Sequence, residues 1–256
     1  MKTRVVRVLT GVLLCALTAC ATEPAHIALK SELSQRVTSA NGVILTSQKE
    51  LVAIVEESKV SQSTGGGLLP MIIDASRNHS RAAAAEGAVR PIRDALAEYD
   101  VGAELQHALG TRLKTIPWLH MKKVDVVHDS KPKMIPSLLA ASPEDVLLLV
   151  TPSYVLSADF TVLHFETDVR VVPRAAHLML PDAGDDAEKR IAPLYKTHVS
   201  HRTTATVQGD SILAASNAWT NDGGKQIKDA FRESIRTTAD QIIEALSHPE
   251  RTPATP

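Results

Sequence analysis

Between residues 160 and 172 the side chains change character at every step. Thr161, Leu163, Phe165, Thr167, Val169 and Val171 fall on one parity, and Val162, His164, Glu166, Asp168 and Arg170 on the other. Only an extended strand sends successive side chains to opposite faces, so this stretch belongs in a sheet with one face packed and one wet. Residues 194–207 repeat the alternation, with Tyr195, Thr197, Val199, Ala205 and Val207 against Lys196, His198, Ser200, Arg202 and Thr204. Such half-wet strands are typical of antiparallel pairing, whereas the unbroken apolar run 146–150 suits a buried central strand.

Around these strands the pattern changes to helical spacing. Gly65, Gly66 and Gly67 lead into a helix with Pro70 in its first turn, where a missing N–H costs nothing. That helix runs through Ala82–Ala85, and a second begins near Pro91. Ile92, Ala95, Leu96, Tyr99 and Ala103 share one helical face, with a break at 100–102 before Val101, Leu105, Ala108, Leu109 and Leu113 resume the spacing. Residues 42–55 are β-rich with a turn in 46–50, residues 116–128 read as a strand, and 132–139 as a short helix stopped by Ser142-Pro143. Residues 211–219 read as a weaker strand and 221–224 as a turn. Ile227, Ala230, Phe231, Ile235, Thr238, Ile242, Ala245 and Leu246 then mark one apolar stripe of a final helix, which Pro249 ends. The expected fold class is α/β (or α+β): a mixed sheet with a long antiparallel part over 146–219, helices packed on it, and a C-terminal amphipathic helix.

The first residues stand apart from this domain. Lys2, Arg4 and Arg7 precede a ten-residue apolar run, 8–17, which is too short to span a bilayer and right for a signal peptide. Leu17-Thr18-Ala19-Cys20 follows and resembles the bacterial lipobox. That resemblance implies diacylglyceryl attachment to the Cys20 thiol, cleavage between Ala19 and Cys20, and acylation of the new amine. A competing reading is an ordinary secretory peptide cut after Ala21. The expected division is a signal peptide over 1–19, a lipid-anchored tether over 20–41, one α/β domain over 42–248 and a loose tail over 249–256. Ala21, where inner-membrane lipoproteins of this kind carry Asp, implies sorting to the inner leaflet of the outer membrane, facing the periplasm.

Charge and cysteine content narrow the function classes. The 28 Lys+Arg and 29 Asp+Glu residues nearly balance, which argues against a nucleic-acid partner. Loss of 1–19 leaves 25 basic and 29 acidic residues. Cys15 departs with the signal and Cys20 is capped by lipid, so no thiol remains for redox chemistry or metal binding.

No catalytic motif emerges. Gly65–Gly67 lacks the Lys-Ser or Lys-Thr of a phosphate loop and reads as a close turn. His164, Glu166 and Asp168 share a strand face, but neighbours two apart on a strand sit about 6–7 Å from each other, awkward for one zinc ion. A solvated face with cross-strand partners such as His198 and Arg202 is the better reading. His198 and His201, three apart, fall on opposite faces. Ser153 has no base marked for it. Neither a metal nor a cofactor is expected. Leu68, Leu69, Met71 and Ile72 are candidates for contact with a partner or a membrane, against plain core packing.

Gly65-Gly66-Gly67-Leu68-Leu69, Ile73-Asp74, Ala85-Glu86, the run from Arg90 to Leu96 and the Trp219…Asp222-Gly223 turn together resemble a family of uncharacterised proteobacterial outer-membrane lipoproteins. More remotely, the element order is similar to the curli-secretion lipoprotein CsgG and the N-terminal domain of TolB, as fold-level analogy alone. No activity comes with either resemblance. The expected function is a lipid-anchored, periplasm-facing accessory or assembly protein that binds another envelope protein. A periplasmic hydrolase with an unrecognised site and a carrier of a small apolar ligand are the alternatives.

Overall fold

A computed structural model describes residues 26–46, 48, 50–54, 68–128, 134–179 and 192–251, with the side chains of 68–79 and 81 outside the description. Six strands form one mixed sheet: β1 (Ala40–Leu45), β2 (Val52–Ala53), β3 (Met121–Val127), β4 (Val146–Leu156), β5 (Val162–Pro173) and β6 (Tyr195–Thr204). Their order is β3-β1-β4-β5-β6, with β2 pairing β4 beyond the end of β1. β1 is parallel to β3 and to β4, while β4–β5 and β5–β6 are antiparallel. Thus β1, β3, β4 and β6 all begin at one end of the sheet, the lower end below.

The expected mixed α/β architecture is present. The helices are α1 (Ser31–Ser34), α2 (Leu68–Ala95), α3 (Val101–Gly110), α4 (Met134–Ala141) and α5 (Ile212–Ser247). α2, α3 and α5 cover one face of the sheet, where Ile44, Leu105, Leu109, Leu148, Phe165, Val169, Phe231 and Ile242 are buried together. α4 covers the other face only over the parallel strands, through Leu139 against Val43, Leu147 and Leu149. The alternation in β5 is borne out: Leu163, Phe165, Thr167, Val169 and Val171 are buried, and Val162, His164, Glu166, Asp168 and Arg170 are not.

β1 and β2 share one edge of β4, and a side chain bridges the gap between them. Where the backbone leaves the ladder, the Gln48 amide donates to the Tyr154 carbonyl (2.7 Å) and accepts from the Tyr154 N–H (3.0 Å). It stands in for a strand residue and satisfies two groups that burial would otherwise orphan.

Four expectations are corrected. Residues 211–219 are helix, not strand: Ser211 accepts from the Ala214 N–H at 3.0 Å as an N-cap, and Ala215, Ala218 and Trp219 bury one face. The antiparallel part of the sheet therefore ends with β6. Pro91 does not start a helix but lies inside α2. The carbonyl that loses its bond belongs to Gly87, and both residues are exposed, so that carbonyl is open to solvent. Because the chain breaks after Ala95, Ala103 is exposed rather than on the shared face.

Residues 26–39, which the sequence assigns to a tether, include the short helix α1 and pack on the domain. Ile27 exchanges backbone bonds with Lys196 (2.8 and 3.0 Å), and Leu29 and Val37 are buried against the core. At the other terminus, the Pro249 carbonyl accepts from the Leu29 N–H at 2.9 Å, which fastens the start of the expected tail to the domain.

The turn at 221–224 divides α5 in two. Asp222, Gly223 and Gly224 have φ of 52°, 67° and 78°. At Gly224 a Cβ would lie 2.5 Å from the Ala95 Cβ, so both its conformation and its contact with α2 demand glycine. Asp100, by contrast, caps α3 from the expected break, accepting from the Ala103 N–H at 3.0 Å.

Candidate functional site

The face left open by α4 is the outer side of β4, β5 and β6, and it carries the residues that the alternation singles out. Pairing sets His198 and Thr151 beside Asp168, Ser153 and Ser200 beside Glu166, and Arg202 and Val155 beside His164. The His198 ring sits between two acids: Nδ1 is 3.1 Å from Asp168 Oδ1, and Nε2 is 4.0 Å from Glu166 Oε2. Side-chain exposures of 42% for His198, 41% for Asp168 and 48% for Glu166 leave these contacts screened by water. His198 is thus the cross-strand partner expected for the acids. Arg202 is not placed opposite an acid; it stands opposite His164. His201 lies on the other parity, opposite Phe165, so the two histidines three apart do face opposite ways.

Ser153 makes no side-chain hydrogen bond among the described residues, and its paired neighbour is Glu166 rather than an imidazole. No group of three His, Cys, Asp or Glu side chains among the described residues is disposed to hold a metal ion. The clear pKa shifts lie elsewhere. Burial pushes the Tyr99 and Tyr195 phenols up to about 12 and raises Tyr154, all within the packed core. Asp145 is held below the usual carboxylate range mainly by the Thr38 hydroxyl, and Asp159 by the Ser157 hydroxyl followed by Thr161. Both acids tie loops together, and the Asp229 carboxyl on α5 is held below the usual carboxylate range first by the hydrogen bond it accepts from Lys225.

Among the described residues, two hollows open on the surface. One, of about 670 Å³, lies beside the break in α5 and is lined by Gln208, Asn217, Asn221, Asp222, Lys225 and Asp229. The other, of about 460 Å³, lies between α4 and the lower ends of β1 and β3, with Asn41, Val43, Lys123, Leu138 and Leu147 among its lining residues. In the second, Asn41 donates to Ser142 Oγ at 3.2 Å, and Lys123 pairs with Asp125 at 2.6 Å. Polar groups predominate around the first, beside Ala214 and Ala218, and charged groups border the second.

Ala19, Cys20 and Gly65–Gly67 lie outside the described residues. Leu68, Leu69, Met71 and Ile72 fall in the first turns of α2, where the backbone alone is described. Among the described residues no helix is long and apolar enough to cross a membrane. Comparison of the chain with protein-family models, with curated proteins and with solved structures finds no match.

Proposed function

We propose that this protein is a lipid-anchored, periplasm-facing envelope lipoprotein that acts by binding another envelope protein and not by catalysis. The observation that carries the reading is Leu17-Thr18-Ala19-Cys20 directly after a cationic segment and a ten-residue apolar run. Acylation of Cys20 with two or three chains gives stable anchoring, since each buried CH₂ contributes about 0.8 kcal/mol and a single chain binds only marginally. Ala21 favours the inner leaflet of the outer membrane as the destination. The non-catalytic part is supported by the causes of the clear pKa shifts, which are burial for the phenols Tyr99, Tyr154 and Tyr195, hydroxyl hydrogen bonds for Asp145 and Asp159, and the Lys225 hydrogen bond for Asp229. Leu68, Leu69, Met71 and Ile72 are the proposed partner contact.

Fractionation of cells producing Cys20→Ala tests the anchor. The variant should leave the membrane fraction or accumulate with its signal segment uncut. A Cys20→Ala protein that is cut and remains membrane-bound as the wild type does would overturn the reading.

A further inference from the structure

β1 is buried along nearly its whole length, and Asn41 lies inside it with only 5% exposure. A side-chain amide is unusual in such a strand. Its nitrogen donates to Ser142 Oγ at 3.2 Å, but among the described residues its buried Oδ1 has no hydrogen-bond partner. An open buried acceptor costs stability, and folded proteins rarely keep one without a use. Asn41 stands at the base of the hollow of about 460 Å³ between α4 and the lower ends of β1 and β3, a volume suited to a small ligand.

A bulge shapes the β3 wall of this hollow. Ala40 pairs with Met121 and Asn41 with Lys123, which makes Lys122 an extra residue in β3. A regular strand would send Lys122 and Lys123 to opposite faces, whereas here both line the hollow. Asp125 neutralises Lys123 at 2.6 Å, and Lys122 has no ion-pair partner among the described residues. The opposite wall favours a cation. α4 ends on the hollow at Ala141 with no basic residue in its last turn, so its last carbonyls present the negative end of the helix dipole. Glu144 lines the same side, and its N–H donates at 3.4 Å to the Ser142 Oγ that Asn41 also uses. Val43, Leu138 and Leu147 add an apolar surface.

We propose that this hollow binds a small zwitterion with an aliphatic side chain, the chemistry of a free branched-chain α-amino acid. The ligand ammonium supplies the donor that Asn41 Oδ1 lacks and faces Glu144 and the end of α4. The ligand carboxylate faces Lys122, the cation that the bulge turns to this side. The side chain covers Val43, Leu138 and Leu147. A neutral apolar ligand would leave Asn41 open, and an anion without an amine would leave both Asn41 and Glu144 unmatched. Binding here is independent of the lipid anchor on Cys20.

The test is a calorimetric titration of the full mature protein in detergent with leucine, isocaproate and isopentylamine. Isocaproate lacks the ammonium, and isopentylamine lacks the carboxylate. Leucine should bind saturably, and each analogue about tenfold or more weakly. Asn41→Leu should abolish leucine binding without lowering the melting temperature, since it removes an open buried acceptor. Lys122→Ala, at an exposed position, should weaken leucine about tenfold and leave isopentylamine unchanged. No saturable leucine binding at millimolar concentration overturns the site and leaves ordered water as the partner of Asn41. Equal affinities for leucine and isocaproate, or leucine binding unaltered in Lys122→Ala, overturn the zwitterion reading.

Discussion

The Trp219 indole N–H donates to the Phe160 carbonyl at 2.6 Å, and both side chains are completely buried. The bond joins the first half of α5 to the turn between β4 and β5, where Phe160 adopts a left-handed φ of 62°. A helix that the chain makes last is thereby fastened to the far end of the longest hairpin.

Removing the donor leaves the Phe160 carbonyl buried and unpaired. Trp219→Phe, which keeps an aromatic ring, should cost about 1–3 kcal/mol for the orphaned acceptor alone. Chemical denaturation of the two proteins measures it. Equal midpoints and slopes would show that the bond contributes nothing.

The second half of α5 docks through its apolar stripe. Phe231 is fully buried within 5.6 Å of the Tyr99 ring and 5.1 Å of the Tyr154 ring. Phe231→Ala should cost about 3–5 kcal/mol and Ile242→Ala about 2–5 kcal/mol. Lys228, whose ammonium donates to the Gly223 carbonyl at the surface, should matter by no more than about 0.5 kcal/mol when changed to Ala. Indistinguishable melting temperatures for the three variants would contradict this packing.

The alternation in residues 160–172 announced β5 and both its faces, because a period of two has one structural solution. The apolar stripe from Ile227 to Leu246 announced the docked helix for the same reason. The helix over 212–220 was less legible: it is short, and Ser216 and Asn217 dilute its buried positions Ala215, Ala218 and Trp219, although Ser211 as a cap was a usable signal. The segment 26–39 was hidden by polar composition, since Leu29 and Val37 are too far apart to form a pattern. On the open face, the sequence indicated that His164, Glu166 and Asp168 sit together. Register alone decided that His198 reaches the acids while Arg202 lands opposite His164.

Acid should weaken the lower end through Asp145. Its carboxylate accepts from the Thr38 hydroxyl at 2.6 Å and the Thr38 N–H at 2.9 Å, which lowers its pKa on folding. A depressed folded pKa contributes stability that is fully present above the unfolded value of about 3.9 and lost as the pH falls through the lower folded one. Asp145→Asn should therefore reduce stability at neutral pH and flatten its decline below about pH 4. Parallel stability–pH curves for the two proteins would show that Asp145 does not contribute in this way.

The open face is read as structural. A His164→Ala/Glu166→Gln double variant should fold as the wild type does, with any loss near the ~0–1 kcal/mol of an exposed pair. Metal analysis of both purified proteins decides the matter: stoichiometric zinc in the wild type that vanishes in the variant would restore an enzymatic reading of this face.

The central claim is that Cys20 is the first residue of the mature protein and carries its lipid. Intact-mass and fragment spectrometry of the N-terminus from membranes tests it most directly. The expected product is a terminal Cys20 bearing a thioether-linked diacylglyceryl group and an N-acyl chain. An unmodified terminus beginning at Thr22 would contradict it.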